Sequence, residues 1–168
     1  TYSTYAAYSG YRTSNSVLVE NTPGNPGSIS GPGSVSYSTA GGASYSLSWA
    51  ASSGNVSAYQ LQEQINSGSW ATVQTSTALS KSFSGKNEAT YKYRVRACNG
   101  GSCTAYGTVK TVTATANYSL SSSTSNSTNG SFSLSWTNPN SHPIFQVEEQ
   151  FNGGSWGLIT QKTTASHS

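Results

Sequence analysis

The sequence predicts an all-β protein made of short antiparallel strands packed as a sandwich, and three observations support this fold class. Apolar and polar residues alternate in three segments, which are 45–49, 91–97 and 132–136. Clusters of Gly, Pro, Asn and Ser separate these segments, as in "NTPGNPGSISGPG" and "ASSGN". No segment shows the 3.6-residue apolar period of a capped helix. Short alternating strands divided by turns are typical of a β-sandwich.

The strands follow one another in a simple order. "SYSLSW" ends at Trp49 and places its large apolar residues on one face. In "AYQLQEQ", Tyr59 and Leu61 share a face, and a Gly turn then leads to Trp70. "YKYRVRA" alternates in the same way, and "TVKTVTA" follows as the last strand. The residues expected to point outward from the second and third of these strands are Gln60, Gln62, Gln64, Lys92, Arg94 and Arg96.

The chain contains an internal repeat. "YQLQEQINSGSW" at 59–70 returns as "FQVEEQFNGGSW" at 145–156. Trp49 and Trp136 are 87 residues apart, and Trp70 and Trp156 are 86 apart. A period near 86 suits one small sandwich domain and exceeds the roughly 20–50 residues of solenoid repeats. The sequence therefore predicts tandem domains, and the absence of Met suggests a piece of a longer protein.

The combination of "SLSW", "AYQLQEQ", "NSGSW" and "YKYRVRACN" followed by "TVKTVTA" resembles the fibronectin type III domain, in the variant found in tandem in large surface or secreted proteins of Gram-negative bacteria. The resemblance implies tandem immunoglobulin-like antiparallel sandwiches with strands A, B, C, C′, E, F and G. It implies a core that contains Trp49, Tyr59, Leu61, Tyr91, Tyr93 and Val95, with Trp136, Phe145 and Val147 in the second copy.

The same resemblance divides the chain into three parts. Residues 27–116 form a complete domain, and residues 117–168 form the N-terminal part, A to C′/E, of a further one. Residues 1–22 correspond to the F and G strands of a preceding or swapped repeat. Phe132, Leu134 and Phe151 are expected to need burial in the second copy. We therefore expect the incomplete ends to be completed by neighbouring chains, as in strand complementation, or by a continuing array.

Two residues, Cys98 and Cys103, bracket a Gly turn. A metal half-site or a redox switch is conceivable for this pair, but a metal site needs further ligands. The only histidines, His142 and His167, belong to the other repeat. We predict a structural disulfide that closes the F–G hairpin, and no bound metal.

Catalysis is not expected. The chain has no Asp and two His, so a Ser-His-Asp triad cannot form. Glu148 and Glu149 are adjacent on a strand and point to opposite faces, which excludes a paired acid and base across a glycosidic bond. Glu63 is expected on a solvated face or beside an Arg. No catalytic residue and no cofactor is predicted.

Composition limits the partners. Charged residues are 8% of the chain and the net charge is +3, which is too dispersed for nucleic acid. No run approaches the roughly 18 apolar residues of a membrane helix. The outward polar face of 60–64 and 92–96 could bind glycans or acidic polysaccharide, or be a solvated surface. Candidate aromatic platforms for sugars are Tyr37, Trp70, Tyr106 and Tyr118.

The leading functional hypothesis is a non-catalytic structural or adhesive repeat array, located outside a bacterial cell or on its surface. Its partners would be other copies of itself or adjacent repeats of the same chain, as in a filament. The alternative is a carbohydrate-binding accessory module of a secreted polysaccharide-degrading enzyme.

Overall fold

The computed structural model describes residues 22–123, 131–140, 144–162 and 166–167, which form strands and turns without a helix. The predicted F and G strands within residues 1–22 lie almost wholly outside this part. The first repeat contains β1 (Ser34–Tyr37), β2 (Ala43–Ser48), β3 (Ala58–Ile65), β4 (Ala71–Ser76), β5 (Ser80–Lys86), β6 (Ala89–Asn99), β7 (Ser102–Cys103) and β8 (Lys110–Ala116). The second contains β9 (Leu120–Ser122), β10 (Leu134–Trp136), β11 (Phe145–Glu149), β12 (Gly157–Lys162) and β13 (Ser166–His167). No described helix is long and apolar enough to cross a membrane.

The first repeat is a two-layer sandwich. One sheet has the order β1-β8-β6-β3-β4, with the short β7 paired to β6, and the other consists of β2 and β5. All pairs are antiparallel except β1 with β8. An isolated bridge from Ser30 to Ser48 extends the smaller sheet. The predicted all-β sandwich is confirmed.

The core of the first repeat lies between these two layers. Leu47, Leu61, Tyr93 and Val112 are fully enclosed. The six core residues predicted for this repeat, Trp49, Tyr59, Leu61, Tyr91, Tyr93 and Val95, are all buried in this layer. Because alternate residues of a strand point to opposite faces, the even-numbered residues of β3 and β6 face outward.

The two repeats share one hairpin in detail. β3 pairs with β4 and β11 pairs with β12, with a bulge after Leu61 in one and after Val147 in the other. At the turn, Asn66 and Asn152 adopt left-handed conformations with φ of 51° and 49°. Asn tolerates this conformation better than most residues. The repeated sequence therefore produces the same turn 86 residues later.

The second repeat is open on its apolar side. Its described strands form two small sheets, β13-β10-β9 and β11-β12. Val147 is buried, but the predicted core residues Trp136 and Phe145 are only half-buried, as is Leu134. Phe132 and Phe151, which were expected to need burial, are 50% and 76% exposed in the described chain. No described strand occupies the place that β6 and β8 have in the first repeat, so the described residues leave these side chains partly open.

The two cysteines form a disulfide between β6 and β7. The turn between them contains Gly100 in a left-handed conformation, with φ of 58°. A loop this short allows a stabilisation of about 2 kcal/mol by the chain-entropy model. The pair therefore acts as a local staple of the hairpin and is not available as a metal ligand.

Candidate binding face

The outer face of β3 and β6 carries the polar residues that the sequence placed outward. The strands pair so that Gln60 lies opposite Arg96, Gln62 opposite Arg94, and Gln64 opposite Lys92. All six side chains are half-buried. We call this set of six residues, with Trp70 and Tyr106 beside them, the arginine face.

Two aromatic rings hold the guanidinium groups of the arginine face. The guanidinium carbon of Arg94 lies 4.2 Å from the ring centroid of Trp70 and 4.2 Å from that of Tyr106. Arg96 lies 4.6 Å from the Tyr106 ring. Stacking of this kind is favourable for Arg because its guanidinium is planar and weakly hydrated.

Glutamine side chains fix the same guanidinium groups from the sheet. Arg94 donates from Nε and Nη2 to Gln62 Oε1, at 2.9 and 2.8 Å. Arg96 donates from Nε to Gln60 Oε1 at 2.9 Å, and the Tyr106 hydroxyl donates to the same oxygen at 2.7 Å. Two of the proposed sugar platforms, Trp70 and Tyr106, are therefore engaged by arginines. Of the other two, Tyr37 is buried and Tyr118 is half exposed.

No acidic side chain in the described part of the chain forms an ion pair with the arginine face. The only ion pair in that part of the chain joins Lys86 to Glu63, on the inner side of the sheet. Lys92, Arg94 and Arg96 follow one another along β6 at a spacing of about 6.6 Å. Three positive charges therefore form an uncompensated row.

Glu63 corrects the sequence-based expectation. It is 7% exposed and points into the sandwich, because it has the same strand parity as Tyr59 and Leu61. Its Oε2 accepts hydrogen bonds from Lys86 Nζ at 2.5 Å and from the Tyr93 hydroxyl at 2.6 Å. A buried carboxylate needs such partners, since an isolated charge in an apolar layer is very costly.

Two tyrosines extend this buried cluster. The hydroxyls of Tyr45 and Tyr93 are 2.6 Å apart, and since Tyr93 donates to Glu63, Tyr45 donates to Tyr93. Burial, reinforced by the nearby Glu63 charge, raises the pKa of Tyr45 to about 12. Burial and then the hydrogen bond that its hydroxyl donates to Glu63 raise the pKa of Tyr93 far above its usual range. The cluster is enclosed and has a structural role.

These pKa shifts predict how stability depends on alkaline pH. The pKa of Tyr45 is about 12 in the folded protein against an ordinary value of 10.0, so the folded state favours the protonated form. The resulting stabilisation is complete below about pH 10 and is lost as pH rises toward 12. We expect phenolate absorbance of these tyrosines to appear only together with unfolding. Ionisation of all tyrosines near pH 10, with the circular dichroism unchanged, would contradict this.

The two adjacent acidic residues considered for catalysis are not enclosed. Glu148 and Glu149 are both exposed on β11. Among the described residues, no three His, Cys or acidic side chains are placed to hold a metal ion. The arginine face is therefore the strongest candidate for a site that contacts another molecule.

Comparisons with known proteins complete the assignment of the fold. A two-domain fibronectin type III segment of chicken tenascin aligns over 85% of this chain and 81% of its own, with a TM-score of 0.51 and 18% identity. The chain has the fibronectin type III fold. A Fn3-like protein from Clostridium thermocellum also aligns, over 56% of this chain and 95% of its own, with 23% identity and a TM-score of 0.44. A scan against protein-family models and a search of curated proteins find no match.

In fibronectin type III terms, the arginine face is the outer side of strands C and F. Sequence reasoning placed its Gln, Lys and Arg residues together but missed the stacking of Arg94 on Trp70 and Tyr106. The recurrence of Trp at 70 and 156 was the available signal. In the second repeat Trp156 is 64% exposed, and no described arginine stacks on it.

Proposed function

We propose that this protein is a non-catalytic structural module of an extracellular repeat array, in which fibronectin type III repeats act as stiff spacers or adhesive units. The observation that carries this proposal is a contact between successive repeats. Asn140, in the connection between β10 and β11, reaches the first repeat. Two tandem domains move relative to each other by default, so a specific contact between them argues for a defined shape.

Asn140 makes hydrogen bonds to three elements around the junction. Its Oδ1 accepts from the Tyr37 hydroxyl at the end of β1. Its Nδ2 donates to Tyr118 Oη at 2.9 Å, in the linker, and to Glu88 Oε2 at 3.2 Å, in the turn between β5 and β6. The adjacent Pro139 is buried. One side chain thus connects the second repeat, the linker and the first repeat.

The linker itself is held from both sides. The Asn117 N–H donates to the Tyr37 carbonyl at 2.7 Å, which fixes the linker to the first repeat. The Ser119 N–H donates to Thr137 Oγ1 at 2.9 Å, and Thr137 Oγ1 donates to the Asn117 carbonyl at 3.2 Å. We infer that these hydrogen bonds, and not only the short length of the linker, limit the motion between the two repeats.

The open side of the second repeat supports assembly into an array. A groove of about 250 Å³ is lined mainly by Leu120, Leu134, Trp136, Phe145 and Val147. In the first repeat, the equivalent residues Trp49, Tyr59 and Leu61 are buried in one core together with the inward-facing residues of β6 and β8. An apolar sheet face of this kind is prone to association with another strand. We propose that F- and G-type strands of a neighbouring chain cover it in a fibre.

Replacing Asn140 with Ala should loosen the junction without unfolding either repeat. We expect small-angle X-ray scattering to show a larger radius of gyration and a broader distance distribution, because three hydrogen bonds across the junction are lost. The thermal melt should move little. Asn55→Ala is the matched control, since Asn55 is exposed in the β2–β3 connection of the first repeat. A scattering curve for Asn140→Ala identical to that of the control would refute the stiff junction.

The molecular mass in solution tests whether a neighbouring chain covers the open side of the second repeat. The proposal requires light scattering to give two or more chains per particle, and Val147→Glu to lower this number because it places a charge in the groove. A mass of one chain at every concentration would exclude completion by a neighbour and leave the stiff junction as a separate question.

A further inference from the structure

We propose that the arginine face binds an acidic polysaccharide, whose carboxylate or sulfate groups pair with Arg94, Arg96 and Lys92. The sequence-based alternative of a carbohydrate-binding module rests on these residues. The inference does not depend on the array, because all the residues of the face lie within the first repeat.

The charge of the face favours an anionic ligand. Three cations lie in a row on β6, and no described acidic side chain pairs with any of them. In the described chain, Nη1 of Arg94 and both Nη atoms of Arg96 make no hydrogen bond to protein, so they can donate to a ligand. A guanidinium presents these donors in a planar fork that matches carboxylate or sulfate oxygens.

The face is organised before any ligand arrives. Arg94 is held between Trp70 and Tyr106 and by two hydrogen bonds to Gln62. Arg96 is held by Tyr106 and Gln60. Binding usually loses free energy when long side chains become ordered, and this loss is small here because the two arginine side chains are already ordered. Because both guanidinium groups are held in place side by side, the face favours a ligand that contacts the two groups at once.

The shape and chemistry of the face favour a polysaccharide over other polyanions. Nucleic-acid bases would need free aromatic faces for stacking, but Arg94 occupies faces of both Trp70 and Tyr106. A stable protein interface usually has an apolar centre, whereas the row between β3 and β6 consists of Gln, Lys and Arg. An extended chain of sugars offers hydroxyls to the glutamines and anionic groups to the arginines.

The test measures binding to defined polymers by affinity electrophoresis at low salt. Polygalacturonate supplies carboxylates, dextran sulfate supplies sulfates, and neutral dextran is the control. We expect retardation by one or both acidic polymers, weakening as salt is added, and none by dextran. Arg94→Gln and Arg96→Gln should each weaken binding by about five- to tenfold. Lys81→Gln, which removes one charge from β5, should leave binding within about twofold.

A further variant separates a shaped site from simple charge. Arg94→Lys retains the charge but loses the planar fork and much of the stacking, so binding should still fall. Circular dichroism melts of each variant establish that it is folded, and Arg96→Gln serves if an Arg94 variant is not. The proposal fails if neither acidic polymer binds, if Lys81→Gln weakens binding as much as Arg96→Gln, or if single-stranded DNA binds more tightly than both.

Discussion

Trp49→Ala is expected to lower the free energy of unfolding by about 3–5 kcal/mol. Trp49 is buried beside the end of β2, and its ring meets that of Tyr59 edge-on with centroids 6.1 Å apart. Its Nε1 has no hydrogen-bond partner among the described residues, so the loss is one of packing. A cavity of this size in a small sandwich cannot be filled by relaxation of the strands around it. Denaturant melts followed by circular dichroism give the measurement.

Trp70→Ala is the matched comparison, because the same residue type is removed from the same repeat. Trp70 is half-buried and its main partner is the Arg94 guanidinium. We expect a loss of about 1 kcal/mol, as for a partly exposed stacking contact. Equal losses for the two variants, or a larger one for Trp70→Ala, would mean that the core is not centred on Trp49.

Lys86→Met is expected to cost about 3 kcal/mol, because it leaves the Glu63 carboxylate buried without its cation. Met retains an apolar stem next to the Phe83 and Tyr91 rings, whose centroids lie 4.9 and 4.8 Å from Lys86 Nζ. The loss is therefore mainly electrostatic. The measurement is again the free energy of unfolding from denaturant melts.

Two further variants isolate the effect of the charge. The double variant Lys86→Met with Glu63→Gln should recover most of the stability, since a neutral amide can still accept the hydrogen bond from Tyr93. Lys81→Met removes a half-buried lysine near the same Phe83 ring, 5.6 Å from its centroid, that has no ion pair among the described residues. If Lys86→Met were no more costly than Lys81→Met, the ion pair would contribute little to stability.

For both the buried cluster around Glu63 and the arginine face, the sequence predicted which side of the strand each residue occupies but not which distant residue it contacts. Strand parity already placed Glu63 with Tyr59 and Leu61, so its burial could have been inferred from the alternation alone. Its partner could not, because Lys86 lies on β5 in the opposite sheet. Likewise the outward residues of β3 and β6 followed from alternation, whereas Tyr106 reaches Arg94 from a connection with no repeating pattern.

The sequence by itself determined the class of fold, the faces of the strands in the first repeat and the repeat period. These features are local, since alternation, turn residues and hairpin chemistry act over a few neighbouring positions. The tertiary structure decided which side chains meet. Tyr37 and Asn140 are 103 residues apart in the chain, and their hydrogen bond depends on how one repeat is placed against the next. The partial exposure of Trp136 and Phe145 likewise depends on which other strands pack against them. An apolar stripe requires a cover, but only the packing of other strands supplies one.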